Sequence, residues 1–246
     1  MYPERVRSVT AVWLVLSALA AAAHAQTPAA GPAAPAVKVE TRAVPGRDVK
    51  QVTAQALVPA PPHVLRAVIA DLARYPAFMP YVKESRVLRR EAAGDVLNYQ
   101  RLSFGMLFVQ DRHYVIRIAE RRGRDADGRV AYAFVWSLEP GLPDDVRPDA
   151  AIRVSVNNGF WDLRPAGHAD GSTDVRYCVF TDPAGALPKW AVGLANSQAV
   201  PDLFAAVARE AATPRYATQP APDPPAAVET RSSGSDPSLS SCSDAR

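Results

Sequence analysis

A chain of 246 residues with 48% hydrophobic and 22% charged residues has the ordinary make-up of a globular protein, one domain or a small pair around a packed core. Its 28 basic and 25 acidic residues give a net charge of +3, scattered along the chain. That scatter excludes a clustered basic surface for nucleic acid, and the local knots Arg89-Arg90 and Arg121-Arg122-Gly123-Arg124 read as solvated hairpin ends.

Arg5 and Arg7 precede an apolar stretch that opens at Val12-Trp13-Leu14-Val15-Leu16 and runs to Ala23. Ala23-His24-Ala25 then fits the small-residue cleavage pattern of a secretory signal, residues 1–25. The run falls short of the roughly 20 apolar residues that a bilayer-spanning helix needs, which favours cleavage over an anchor. No Cys follows the cleavage position, as a lipoprotein would require. The mature protein is therefore expected in the periplasm or outside the cell. Residues 26–47, rich in Ala and Pro, read as a flexible lead-in, and residues 213–246, rich in Pro, Ser and Ala, as a disordered tail. The folded domain is expected over residues 48–212. Two cysteines, Cys178 and Cys242, supply neither a metal-ligand spacing nor a redox pair, and both read as incidental.

Within the domain a first strand is predicted over Val49–Val58, closed by Pro59-Ala60-Pro61-Pro62. Val64, Leu65, Val68, Ile69 and Leu72 then recur at a helical period, with Pro62 at the start and Tyr75-Pro76 at the end. Phe78-Met79-Pro80-Tyr81 suggests a further helical turn. Strands follow over Val82–Leu88, Leu97–Phe104, Arg112–Ala119, Val130–Leu138, Ile152–Leu163 and Asp174–Thr181, with turn signals such as Asp127-Gly128 and Asp170-Gly171 between them. A long helix from Pro188 to Ala212 ends the domain, its apolar stripe running through Trp190, Leu194, Ser197, Pro201, Phe204 and Ala208. Alternation places Val130, Tyr132, Phe134, Trp136 and Leu138 on one face, as it does Tyr114, Ile116 and Ile118, and Val175, Tyr177 and Val179. The fold class is therefore α+β: a curved antiparallel sheet of about six to seven strands wrapped around a long C-terminal helix.

Four stretches carry a resemblance. They are the segment from Ala60-Pro61-Pro62-His63-Val64 to Asp71-Leu72-Ala73-Arg74-Tyr75-Pro76-Ala77-Phe78-Met79-Pro80, then Asp111-Arg112-His113-Tyr114-Val115, Gly159-Phe160-Trp161-Asp162-Leu163-Arg164-Pro165, and Asp182-Pro183-Ala184-Gly185-Ala186-Leu187-Pro188-Lys189-Trp190. In this order they resemble the START/SRPBCC superfamily of steroidogenic lipid-transfer domains, polyketide cyclase-like proteins and coenzyme-Q-binding proteins. The resemblance implies the helix-grip fold and an internal cavity that binds, and in a carrier transports, a hydrophobic ligand: a lipid, a sterol-like molecule, a quinone or a polyketide-like molecule. The candidate ligand-binding residues are Tyr99, Arg112, Tyr114, Tyr132, Phe134, Trp136, Trp161, Tyr177, Trp190, Leu194 and Phe204. For the aromatic residues the alternative is plain core packing. In relatives the arginine matching Arg112 often meets an acid on the neighbouring strand, but here that strand reads Asn98-Tyr99-Gln100-Arg101. Arg112 shares the apolar face, so it must meet a structural partner, such as Asp111, Gln100 or a backbone carbonyl, or else a polar ligand head.

Catalytic signals are sparse. His63, His113 and His168 have no Ser, Cys or Asp partner at a telling spacing, and no G-x-S-x-G, H-E-x-x-H or phosphate loop occurs. No cofactor or metal is expected. A cyclase/aromatase-like enzyme acting on a hydrophobic substrate is one alternative, and a non-catalytic interaction module with a closed core is another. The expected partners are a hydrophobic small molecule or lipid, with transient membrane contact and no nucleic acid. Pro201 is expected to kink the last helix, either for packing or as the hinge of a lid.

Overall fold

The computed structural model describes residues 33–44, 50–105, 109–142, 146, 150–167, 169, 171–185 and 198–220. Nine strands are β1 (Lys38–Ala43), β2 (Lys50–Val58), β3 (Val82–Arg90), β4 (Val96–Leu102), β5 (Arg112–Arg124), β6 (Val130–Leu138), β7 (Ile152–Arg153), β8 (Val156–Pro165) and β9 (Thr173–Asp182). They form one sheet in the order β1-β2-β9-β8-β6-β5-β4-β3, antiparallel throughout that path, with the two-residue β7 running parallel beside β5. Helices α1 (Pro62–Ala70) and α2 (Tyr75–Phe78) separate β2 from β3, with a 3-10 turn at Leu72–Arg74 between them. After β9 come α3 (Ala199–Ala211) and α4 (Pro214–Ala217). This is the α+β helix-grip architecture, with two strands more than the alternation suggested.

The local reasons are legible. Pro62 stands at the first position of α1, where its missing N–H is no loss, and Val64, Leu65, Val68 and Ile69 form the buried stripe. The alternating face of β6 buries Tyr132, Phe134 and Trp136 to 3%, 4% and 9% exposure, so the period-two pattern marks the concave side. Helix α3 lays Val200, Phe204, Val207, Ala208 and Ala211 into the same core. Polar links fasten the C-terminal helices to the α1–α2 region: Arg74 pairs with Glu210 at 2.8 Å, Tyr81 donates to Asp202 at 3.1 Å, and Tyr216 donates to Asp71 at 2.8 Å.

Several boundaries differ from the sequence expectation. Lys38–Ala43, assigned to the lead-in, pairs residue for residue with Lys50–Gln55 as an edge strand. Its Lys, Glu and Arg side chains keep that edge solvated, which hides it from a search for apolar alternation. The predicted strand 152–163 is broken at Val154-Ser155 into β7 and β8. The turn Pro214–Ala217 lies beyond the expected domain end, and Tyr216 there is 2% exposed. Pro201 falls in the first turn of α3, where an intrahelical bond to its nitrogen is not required, so it does not kink the helix within the described residues. Residues 186–197, including Pro188, Trp190, Leu194 and Ser197, lie outside the described residues, as do the proposed signal segment and His168. Cys178 is buried and disulfide-bonded instead of incidental, and Cys242 is outside the described residues. No helix among the described residues is long and apolar enough to cross a membrane.

Candidate functional site

Between the concave face of the sheet and the helices lies a cavity of about 1010 Å³. That is the upper end of the range, on the order of 300–1,000 Å³, for sites that enclose a small molecule. Helix α1 contributes Ile69 to its wall, the α2 region contributes Tyr75 and Met79, and α3 contributes Val200 and Leu203. The sheet contributes Leu102, Tyr114, Ile118, Phe134, Trp136, Trp161, Tyr177 and Val179. The void persists because aromatic packing props α3 off the sheet. Phe204, 1% exposed, rests on Trp161 at 5.3 Å and on Tyr177 at 6.2 Å, and Trp161 meets Tyr177 at 4.6 Å between ring centroids. Rings held at such distances keep their edges and faces engaged, so the wedge does not collapse.

Gly159 shapes the floor. It lies opposite Trp136 on β6 and Val179 on β9. A Cβ there would stand 2.2 Å from the Cys178 carbonyl oxygen and 2.3 Å from Cζ2 of Trp136. Only the absence of a side chain lets the Trp136 indole lie across β8, where Nε1 donates to Oδ1 of Asn157 at 3.0 Å.

The polar groups of the cavity fall into two sets. One set is neutral: Tyr114 donates to Oε1 of Gln100 at 2.7 Å, and Asn157 accepts from the Trp136 indole at 3.0 Å. Burial raises the Tyr75, Tyr114 and Tyr177 phenols far above their ordinary value, so all three remain protonated donors. The charged set includes the exposed Lys50 and Arg90 and two engaged arginines, Arg66 and Arg112. Arg66 on α1 grips Glu120 on β5 through two bonds, at 2.9 and 2.7 Å. Burial works against the Glu120 charge, but the bonds and charges of Arg66 and Arg122 outweigh it and hold the carboxyl below its ordinary range.

Arg112, 2% exposed, meets no carboxylate among the described residues. Its Nε donates to the Pro183 carbonyl at 2.9 Å, Nη2 donates to that of Ala184 at 3.3 Å, and Nη1 to that of Gln110. Burial without a countercharge lowers its pKa. The carbonyls are presented by a turn in which Ala184 and Gly185 both have positive φ, 54° and 69°, and in which the Asp182 carboxylate accepts from the Ala184 N–H at 2.9 Å. Of the partners weighed for Arg112 in the sequence, the backbone carbonyl is the one present.

Of the sequence candidates, Arg112, Tyr114, Phe134, Trp136, Trp161 and Tyr177 border the cavity. Phe204 stands behind Trp161 as the wedge, and Tyr132 lies in the core beyond the lining, under the Arg122 guanidinium at 5.8 Å. Tyr99 is a correction. It pairs with Val115, not with Tyr114, and projects from the convex face into a separate cluster with Leu97, Val115 and Val146, beneath Arg86 at 5.0 Å. Trp190 and Leu194 lie outside the described residues. Asn157 and the helix residues Ile69, Tyr75 and Met79 were missed. A lone Asn in phase with Trp161 on an otherwise apolar face was the available signal for the first. Among the described residues no group of His, Cys, Asp and Glu could hold a metal. The cavity also differs from the closed core of an interaction module.

Comparison with known proteins places this geometry. The chain resembles the STAR-related lipid transfer protein of Xanthomonas axonopodis at 24% identity, covering 71% of this chain and 92% of that one with a TM-score of 0.56. It also resembles human StAR-related lipid transfer protein 5, at 15% identity over 73% of this chain and 86% of that one, with a TM-score of 0.58. Human StarD13, in its lipid transfer and protein localization domain, matches at 16% identity over 72% and 85% of the two chains, with a TM-score of 0.58. No curated protein matches. Residues 58–208 match the family model described as polyketide cyclase / dehydrase and lipid transport, and the chain belongs to that family.

Proposed function

We propose that this protein binds one hydrophobic small molecule, a lipid or a polycyclic or polyketide-like compound, inside the cavity and carries it. The observation that carries the reading is a void of about 1010 Å³ walled mainly by aromatic and aliphatic side chains, with the protonated phenols of Tyr114 and Tyr177 among its neutral polar groups. Enclosing an apolar molecule there releases water from both surfaces, at about 25 cal/mol per Å² of apolar area buried. The family description and the lipid-transfer names of the similar structures support the same reading. The basic n-region, apolar stretch and Ala23-His24-Ala25 support a periplasmic or secreted location, where a carrier would hand its cargo to a membrane in transient contacts.

Mass spectrometry under native conditions, on protein purified without detergent, tests the reading. One apolar organic adduct per chain, recovered in an organic extract, is the expected result. A cavity that stays empty and takes up no apolar probe would overturn it. Chemical turnover of a polyketide-like substrate would move the protein to the cyclase side of its family.

A further inference from the structure

Two side-chain hydrogen bonds order the polar groups of the cavity wall. The Trp136 indole can only donate, so the Asn157 atom facing it, at 3.0 Å, must be the carbonyl oxygen. The Tyr114 hydroxyl donates to Oε1 of Gln100 at 2.7 Å, directly across the β4–β5 pairing. This leaves the Nε2 amide of Gln100, two N–H donors with no protein partner among the described residues, on a side chain that borders the cavity. The Tyr177 hydroxyl, also on the cavity wall, likewise has no hydrogen-bond partner among the described residues.

Of the cations that border the cavity, Arg112 donates from Nε, Nη1 and Nη2 to backbone carbonyls, Arg66 is held by Glu120, and Lys50 and Arg90 are exposed. An unsatisfied neutral donor in a low-dielectric interior favours a ligand atom that can accept, and a neutral acceptor avoids the cost of desolvating an anion.

We propose that the cavity selects its ligand by a neutral carbonyl oxygen, that of a ketone, ester or quinone, received by Nε2 of Gln100, with the Tyr177 hydroxyl as a second neutral donor. The inference rests on the reading of the cavity as an apolar-ligand site. Tyr114 is a positioning residue: its hydroxyl occupies Oε1, so that Gln100 presents donors to the cavity. A ligand hydroxyl could also accept from Nε2, but its own proton would have to share Oε1 with Tyr114.

The test is displacement of N-phenyl-1-naphthylamine from the intact chain by 2-dodecanone, dodecane and dodecanoate, each delivered from cyclodextrin. The ketone should compete about tenfold better than the alkane, the worth of one interior hydrogen bond. In Gln100→Leu that preference should fall to about twofold or less while dodecane binding is unchanged. Should Gln100→Leu fail to fold, Tyr114→Phe, which frees the Gln100 amide to turn, should weaken the ketone preference and leave the alkane alone. Equal competition by ketone and alkane, a preference for dodecanoate, or a ketone preference that survives either folded variant would overturn the proposal and leave the apolar-ligand reading standing. Failure of the dye and all three probes to bind would overturn both.

Discussion

Nε of Arg112 donates to the carbonyl of Pro183 at 2.9 Å, joining the start of β5 to the turn that follows β9. Arg112 and the Asp182-Pro183-Ala184-Gly185 turn are far apart in sequence, and their contact lies on the cavity wall. In place of a carboxylate, the guanidinium is satisfied by carbonyls that two residues of positive φ turn toward it. Arg112 is thus a brace for the cavity wall, its fork geometry reaching three acceptors that an ammonium could not span. Arg112→Lys and Arg112→Met should each destabilise the fold by roughly 3 kcal/mol, since several buried carbonyls lose their donor. Urea unfolding measures the loss, and faster hydrogen exchange should be confined to the amides around Ala184 and Gly185.

Gly159 is the residue whose replacement by the smallest side chain should do the most harm. Gly159→Ala sets a methyl 2.2 Å from a backbone oxygen and 2.3 Å from the Trp136 ring, and neither the strand nor a bonded indole can retreat freely. The expected cost is about 3 kcal/mol, with the indole pushed toward the void. The thermal midpoint should drop, the tryptophan emission should shift, and affinity for an apolar probe should fall in the same variant.

The Arg66–Glu120 pair carries a pH dependence with a definite sign. The native pKa of Glu120 lies below its ordinary value of 4.5. Its contribution to stability is therefore present above 4.5 and is lost as the pH falls through the lowered native value. The urea midpoint of the wild type should decline below about pH 4.5, and Glu120→Gln should show a shallower decline over that range from a stability lower by about 1 kcal/mol at neutral pH.

Tyr216 extends the domain past its expected end. Its ring is 2% exposed and its hydroxyl donates to Asp71 at 2.8 Å. Tyr216→Phe should cost about 1 kcal/mol and Tyr216→Ala roughly 3 kcal/mol, read from chemical denaturation. No cost for Tyr216→Phe would mean that the hydroxyl contributes nothing, and equal costs that the ring contributes nothing.

Much of the fold was legible because the chemistry behind it is local. Period-two alternation in β6 and β9 and period 3.6 in α1 report which side of each element is buried, and Pro62 reports where α1 starts. What stayed hidden depends on pairing across the fold. β1 has one large apolar residue, Val39, among Lys38, Glu40 and Arg42, and becomes a strand only because β2 offers it an edge. Tyr99 was assigned to the cavity by residue type, yet the register that sets Gln100 against Tyr114 turns it to the other face. Gln100 reads in the sequence only as a partner for Arg112, whereas its Oε1 accepts from Tyr114 across the β4–β5 pair. Its role depends on the register of two strands, which no single stretch of sequence displays.

That the cavity holds an apolar ligand is tested most directly by titration with N-phenyl-1-naphthylamine of the wild type beside Leu203→Trp. Leu203 borders the void from α3, so the larger ring fills space while the wedge at Phe204 stays in place. Saturable binding of one dye per wild-type chain is expected, with affinity lowered at least tenfold in a Leu203→Trp variant that unfolds at a similar temperature. Equal dye binding by the two folded proteins would contradict an apolar-ligand cavity.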